Sequence, residues 1–132
     1  MTKEERAEKA ASYKNQGICN CCQAVLMVYE DSIENDSMTL ETAAAGFAAG
    51  MGCMESTCGA LIGAVLIAGT KTGGSPGTAK YSKQILNLFK EKSGATICKD
   101  LKGIETGKVL CPCGDCVKNA VLSLEEVLPT EE

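Results

Sequence analysis

Apolar residues recur every three to four positions in nearly every segment of this chain, and no stretch alternates with the period of two that marks a half-buried strand. The spacing predicts an all-α protein. A weakly amphipathic helix is expected over residues 3–14, stopping near Gly17, and a second over residues 21–32 with Val25, Val28 and Tyr29 facing inward. A third should begin after Thr39 as N-cap, with Glu41 in its first turn, and carry residues 43–50. A fourth is expected over residues 58–68. Residues 70–78 hold no periodic apolar position and several turn formers, so they read as an exposed loop. Tyr81, Ile85, Leu88 and Phe89 then mark the clearest amphipathic helix, closed by Gly94. A short helical turn over residues 98–101 precedes a last helix over residues 116–128, ahead of Pro129. That helix should bury Val117, Val121, Leu124 and Leu128 and turn Glu125, Glu126, Glu131 and Glu132 to solvent. The whole chain, residues 1–132, reads as one compact domain of about five to six helices.

The glycines alter this picture. Gly46 and Gly50 in the third segment, and Gly59 and Gly63 in the fourth, weaken the helices that carry them. Small side chains let helices approach closely, so close-packed, Gly/Ala-rich central helices are expected, with the third and fourth crossing nearly backbone to backbone.

Composition narrows the chemistry. A length of 132 residues is enough to bury a core without cross-links, yet the chain holds nine cysteines. The start of the sequence is charged in both signs and lacks an apolar stretch behind a basic one, so a secretory signal is not expected and a cytoplasmic address is. Thiols there are kept reduced, which favours metal-binding or catalytic cysteines over structural disulfides. A net charge of −4 and five aromatic residues give nucleic acid little to bind to. No apolar run reaches the roughly 20 residues of a membrane span. Histidine is absent, which removes the commonest general base, the Cys-His nucleophile pair and mixed His-Cys zinc sites. Sulfur chemistry remains.

The cysteines fall in groups at expected helix starts: Cys19, Cys21 and Cys22; Cys53 and Cys58; Cys98; and Cys111, Cys113 and Cys116, with Asn20, Thr57 and Asp115 as candidate N-caps. Free N–H groups and the positive end of the helix dipole stabilise an anion there, and a thiolate is the form that attacks disulfides or binds soft metals. Two C-x-x-C spacings, Cys19 to Cys22 and Cys113 to Cys116, each bring two sulfurs within reach of one metal or one disulfide. No strand precedes either, so a thioredoxin-like arrangement does not fit. A four-thiolate zinc site is the alternative from a different class. Residues 103–109 only faintly resemble a phosphate loop, with three residues between the glycines and Val109 where a Ser or Thr should stand.

The motifs Asn20-Cys21-Cys22-Gln23-Ala24, Gly50-Met51-Gly52 and Cys58-Gly59-Ala60-Leu61-Ile62-Gly63, followed by Cys98 and Cys116, resemble the bacterial and archaeal C_GCAxxG_C_C family over about residues 17–128. The resemblance implies a redox role with Cys21, Cys58, Cys98 and Cys116 as its four characteristic cysteines. In the split-Soret cytochromes, which look related, an iron-sulfur cluster accompanies cysteines of this kind. Their haem motif needs a histidine that this chain lacks. Cys19, Cys22, Cys53, Cys111 and Cys113 depart from the four-cysteine pattern and are candidate additional metal ligands. The expected function is electron transfer through an iron-sulfur cluster or thiol-disulfide cycling, with an unidentified electron donor or acceptor protein; zinc or no cofactor is the alternative, and a homodimer is compatible with the reading.

Overall fold

A computed structural model describes residues 1–130, all of them helical, turn or loop apart from one isolated bridge. Seven α-helices follow in order: α1 (Lys3–Asn15), α2 (Cys21–Met27), α3 (Ser37–Ala43), α4 (Gly59–Lys71), α5 (Thr78–Ser93), α6 (Cys98–Lys102) and α7 (Cys113–Val127). The all-α class expected from the periodicity is present, with more helices than the expected five to six. Two further departures are local breaks. The expected third helix starts early, capped by Asp36 rather than Thr39, and gives way after Ala43 to a tight 3₁₀ turn over Ala44–Phe47. The backbone then enters the left-handed region at Ala49, Gly50, Met51, Gly52 and Met54, where no α-helix continues. The second helix ends at Met27, with residues 28–32 in turns.

Helices α2, α4 and α7 pack on one another, and α1 and α5 lie against α7. The core between them holds Val25, Leu26, Tyr29, Leu61, Ile67, Ile85, Phe89, Val117, Val121 and Leu124. Leu128, expected inside, is only half-buried.

The close backbone approach lies mainly between α4 and α2, and the expected third segment meets α4 only through its 3₁₀ turn at Phe47. A Cβ on Gly63 would sit 2.8 Å from the Cys22 carbonyl oxygen and 3.0 Å from Val25 Cβ, and one on Gly59 would sit 3.0 Å from the Phe47 carbonyl oxygen and 3.4 Å from the Cys22 nitrogen. Gly46 faces open space. Glycines four apart thus form a flat seam on α4 into which the start of α2 settles, and the helices that begin with Cys21 and follow Cys58 are held side by side.

The far end of the bundle corrects the reading of Glu125. It is buried at 7% exposure, not solvated. Tyr29 Oη donates to Glu125 Oε2 at 2.6 Å; Thr130 donates to the same carboxylate through its backbone N–H (3.0 Å) and hydroxyl (2.6 Å). Arg6 and Lys71 flank the Tyr29 ring at 4.7 and 5.4 Å from its centroid, and Arg6 also bonds the Val28 carbonyl and Asp31. Burial works to raise the Glu125 pKa, but the hydrogen bonds from Thr130 and Tyr29 and the charge of Lys71 outweigh it, so the net direction is down. A carboxyl lowered in the folded state contributes stability above its unfolded pKa and loses it as pH falls. Stability should therefore drop on acidification through about pH 4. Tyr29→Phe should cost about 1–3 kcal/mol at neutral pH and move the acid loss to higher pH, read by urea unfolding between pH 3 and 7. Equal acid profiles for the two proteins would count against this network. Glu131 and Glu132 lie outside the described residues.

Candidate functional site

Helices α2, α4 and α7 all begin at the end of the bundle opposite Glu125, and α1 ends there. Their starts place the sulfurs. Cys21 is the first residue of α2, behind an Asn20 N-cap whose side chain accepts from the Gln23 N–H at 2.8 Å. Cys58 is itself the N-cap of α4, and Cys98 opens α6. Cys113 opens α7 behind Pro112, with Asp115 inside the first turn instead of capping it. An isolated antiparallel bridge between Thr57 and Ile97 sets two of these side by side: Cys58 N–H bonds the Thr96 carbonyl at 2.8 Å and Cys98 N–H bonds the Ser56 carbonyl at 3.0 Å. Gly50 makes room for Cys98, because a Cβ there would stand 2.7 Å from Cys98 Cβ.

Cys21, Cys58, Cys98 and Cys113 line one cavity of about 380 Å³, walled by Ala48 and by Ala49, Gly50 and Met54 from the left-handed segment that follows it, and carrying Lys14 and Lys102. A larger open depression of about 900 Å³ between the α2–α3 turn and the α4 and α7 C-terminal ends holds no cysteine. The sulfurs therefore gather at the smaller cavity.

Five sulfurs form two pairs and a neighbour. Cys21 and Cys113 titrate together as one pair and Cys58 and Cys116 as another, while the Cys116 S–H points at the Cys111 carbonyl oxygen at 3.4 Å. The first pair is half-buried; the second is deep, with Cys58 at 3% and Cys116 at 0% exposure. Cys113 takes the negative charge of the outer pair: the neighbouring Cys21 thiol and the Lys102 ammonium bring its pKa down to about 5. Cys21 is pushed up correspondingly. Cys58 takes the charge of the inner pair, lowered to about 7 by the neighbouring Cys116 thiol and, against burial, by the Ala60 and Leu61 N–H groups at the start of α4. Cys116 is pushed up by Cys58 and by burial. Lys102 lies four residues after Cys98 on α6, with Nζ 3.8 Å from Cys116 Sγ and 3.3 Å from the Cys111 carbonyl oxygen. Burial works against its charge, and the neighbouring thiolates more than restore it, so its pKa is raised.

The general expectation that helix starts acidify every cysteine needs correction. Burial raises Cys22 to about 12 and also raises Cys19 and Cys98. A helix start lowers a thiol pKa only where an N–H, S–H or ammonium points at the sulfur. Iodoacetamide labelling resolved by peptide mass spectrometry should modify Cys113 with a midpoint near pH 5 and Cys58 nearer pH 7, with Cys19, Cys22 and Cys98 following at higher pH. Lys102→Gln should move the first midpoint upward. Cys113 unreactive below pH 8 would overturn the assignment.

Of the four sulfurs the sequence singled out, Cys21, Cys58 and Cys98 line the cavity, and Cys116 stands behind Cys58. Cys113 takes the place on the cavity wall. The remaining candidates lie apart: Cys22 is buried against α4, Cys53 is exposed with Sγ 3.9 Å from the Gly50 carbonyl oxygen, Cys19 packs against the core, and Cys111 is buried with Asn119 Nδ2 3.7 Å from its sulfur. The sequence reading missed Lys14 and Lys102. A lysine one turn after Cys98 was the available signal for the second; nothing local marks Lys14.

As for metal, among the described residues no three His, Cys, Asp or Glu side chains converge on a point where one ion would be chelated. An iron-sulfur cluster is a body with ligands on its periphery, and four thiols around a single cavity suit its donor preference for Cys thiolates.

A search of curated proteins and of solved structures gave no match. The family match is extensive: residues 19–127 fit the C_GCAxxG_C_C family, whose description reads "putative redox-active protein". All nine cysteines are free thiols here, and with most of its length matched the chain belongs to the C_GCAxxG_C_C family.

Proposed function

We propose that this is a thiol redox protein in which Cys21–Cys113 and Cys58–Cys116 are two dithiol couples, each able to give up two electrons and close to a disulfide. One arrangement carries the reading: the starts of α2 and α7 bring Cys21 and Cys113 to the wall of one cavity, Cys58 lines it with Cys116 buried nearby, and one sulfur of each pair is lowered toward the thiolate that exchange needs. The thiolate is the nucleophile and the thiol resolves the mixed disulfide. The half-buried outer pair meets the oxidant, and the inner pair, shielded from water, holds a second electron pair. Cys98 lies between them electrostatically, interacting with both Cys58 and Cys113.

A second reading rests on the shared cavity. Cys21, Cys58, Cys98 and Cys113 are the residues that would hold an iron-sulfur cluster, which supplies one-electron transfer when bound. Lys14 and Lys102 would then offset the negative charge of four thiolates, and the apolar wall would keep water from the sulfurs. The zinc alternative draws no support from donors that do not converge.

Anaerobic purification followed by a visible spectrum, assays for iron, sulfide and zinc, and a thiol count separates the readings. The dithiol reading expects a colourless protein whose nine thiols fall to five on mild oxidation, with peptide mapping locating the bonds at 21–113 and 58–116. Brown colour with iron and sulfide in fixed ratio would establish the cluster instead. Stoichiometric zinc without colour would overturn both.

A further inference from the structure

The cavity wall has a charge sign the rest of the protein does not. The chain carries 17 acidic against 13 basic residues, yet the residues around the cavity include Lys14 and Lys102 and no aspartate or glutamate. Lys102 donates to the Cys111 carbonyl at 3.3 Å and reaches Cys116 Sγ at 3.8 Å, and it also lines the cavity. Among the described residues the Lys14 ammonium makes no ion pair and no side-chain hydrogen bond, and it acts on Cys19, Cys21 and Cys113 through its field. Lys14 lies in the last turn of α1, where the helix dipole favours a cation, and it lines a cavity shared with Ala48, Ala49, Gly50 and Met54 that holds no carboxylate, so an arriving anion meets positive charge and no repelling carboxylate.

We propose that the cavity binds a small anionic compound containing a sulfur–sulfur bond, which Lys14 and Lys102 hold and the Cys21–Cys113 pair reduces. The inference rests on the dithiol reading and adds its substrate class. The volume of about 380 Å³ lies near the lower end of the range for small-molecule sites, about 300–1,000 Å³. A protein disulfide is disfavoured by position, because the reacting sulfurs line the inside of a cavity and are themselves half-buried. Apolar walls lower the local dielectric and lengthen the reach of both lysines.

The chemistry balances without a further reactant. Cys113 thiolate attacks one sulfur of the bound R–S–S–R′, the S–S bond breaks, and R–S⁻ leaves as the Cys113 mixed disulfide forms. Cys21, giving its proton to solvent or the departing group, attacks Cys113 sulfur and expels the second half as R′–SH. Two electrons pass from the dithiol to the substrate, Cys21–S–S–Cys113 remains, and one negative charge stands on each side of the equation. A second turnover needs two electrons from an external dithiol.

Three disulfides of nearly equal size and S–S reactivity test this with the full-length, reduced protein: 3,3′-dithiodipropionate (anionic), 2-hydroxyethyl disulfide (neutral) and cystamine (cationic). Formation of the 21–113 bond is followed by quenched-flow mass spectrometry. The anion should react at least about ten-fold faster than the neutral compound at low ionic strength, and that ratio should fall several-fold in 0.5 M salt, with the cation slowest. Lys14→Gln should lower the anion-to-neutral ratio by several-fold, and so should Lys102→Gln. Equal rates for the three probes, or an anion preference that survives Lys14→Gln at low salt, would overturn the proposal. If none of the three closes the 21–113 bond in folded protein, the dithiol reading itself has failed.

Discussion

Cys113→Ser should abolish reversible oxidation at the outer pair. Serine retains a hydrogen-bonding group beside Cys21 and Lys102 but cannot form a disulfide, so Cys21 has no partner and electrons leave only through the shielded Cys58–Cys116 pair. The rate of reaction with small disulfides should fall by at least about a thousand-fold, since the lowered thiolate is the only sulfur on the cavity wall that is both anionic near neutral pH and half-exposed. Cys116→Ser should behave differently. The outer pair keeps its chemistry, while Cys58 is left beside a hydroxyl that can still donate to it and cannot close a disulfide, so mild oxidation should form the 21–113 bond alone. Stopped-flow oxidation and peptide-resolved labelling distinguish the two. Wild-type kinetics in Cys113→Ser together with loss of reaction in Cys116→Ser would restore Cys116 to the leading role that the family motif implies.

The second large effect is on folding. Gly63→Val should destabilise the protein by about 3 kcal/mol or more, because its first carbon would already stand 2.8 Å from a backbone oxygen that cannot swing aside as a side-chain tip can. Helix α4 would have to separate from α2, and Cys58 would move away from the start of α2 with it. Against a typical total of 5–15 kcal/mol, such a loss leaves a marginal protein. Gly69→Ala is the matched control on the same helix. Nothing lies within 4 Å of the new Cβ, so the change should be neutral or stabilise by up to about 1 kcal/mol through helix propensity. Urea unfolding of both variants gives the comparison, and equal midpoints for Gly63→Val and wild type would refute the seam between α2 and α4.

The same glycine shows where sequence reading stops. That Gly59 and Gly63 serve a close approach follows from their cost in a helix; which helix approaches does not. The left-handed run from Ala49 to Met54 was hidden for a similar reason: alanine and methionine favour helix locally, and the segment packs on α6, which lies more than forty residues further along the chain. Glu125 was misplaced because its position among acidic neighbours looks solvated, while the Tyr29 hydroxyl and Thr130 that satisfy it reach it only in the folded bundle.

Much of the local order was written in the chain. The 3.6-residue period determined the all-α class, the Asn20 cap and Gly94 stop determined helix ends, and the cysteine groups at helix starts together with the absence of histidine confined the chemistry to sulfur. Those properties depend on neighbours within a turn or two. Which sulfurs meet, which of each pair carries the charge, and that two lysines face the same cavity were decided only by tertiary packing. Hydrogen bonds and charge interactions between thiols act over a few ångströms, and the residues concerned come from α1, α2, α4, α6 and α7, brought to one end of the bundle by contacts that no local pattern encodes.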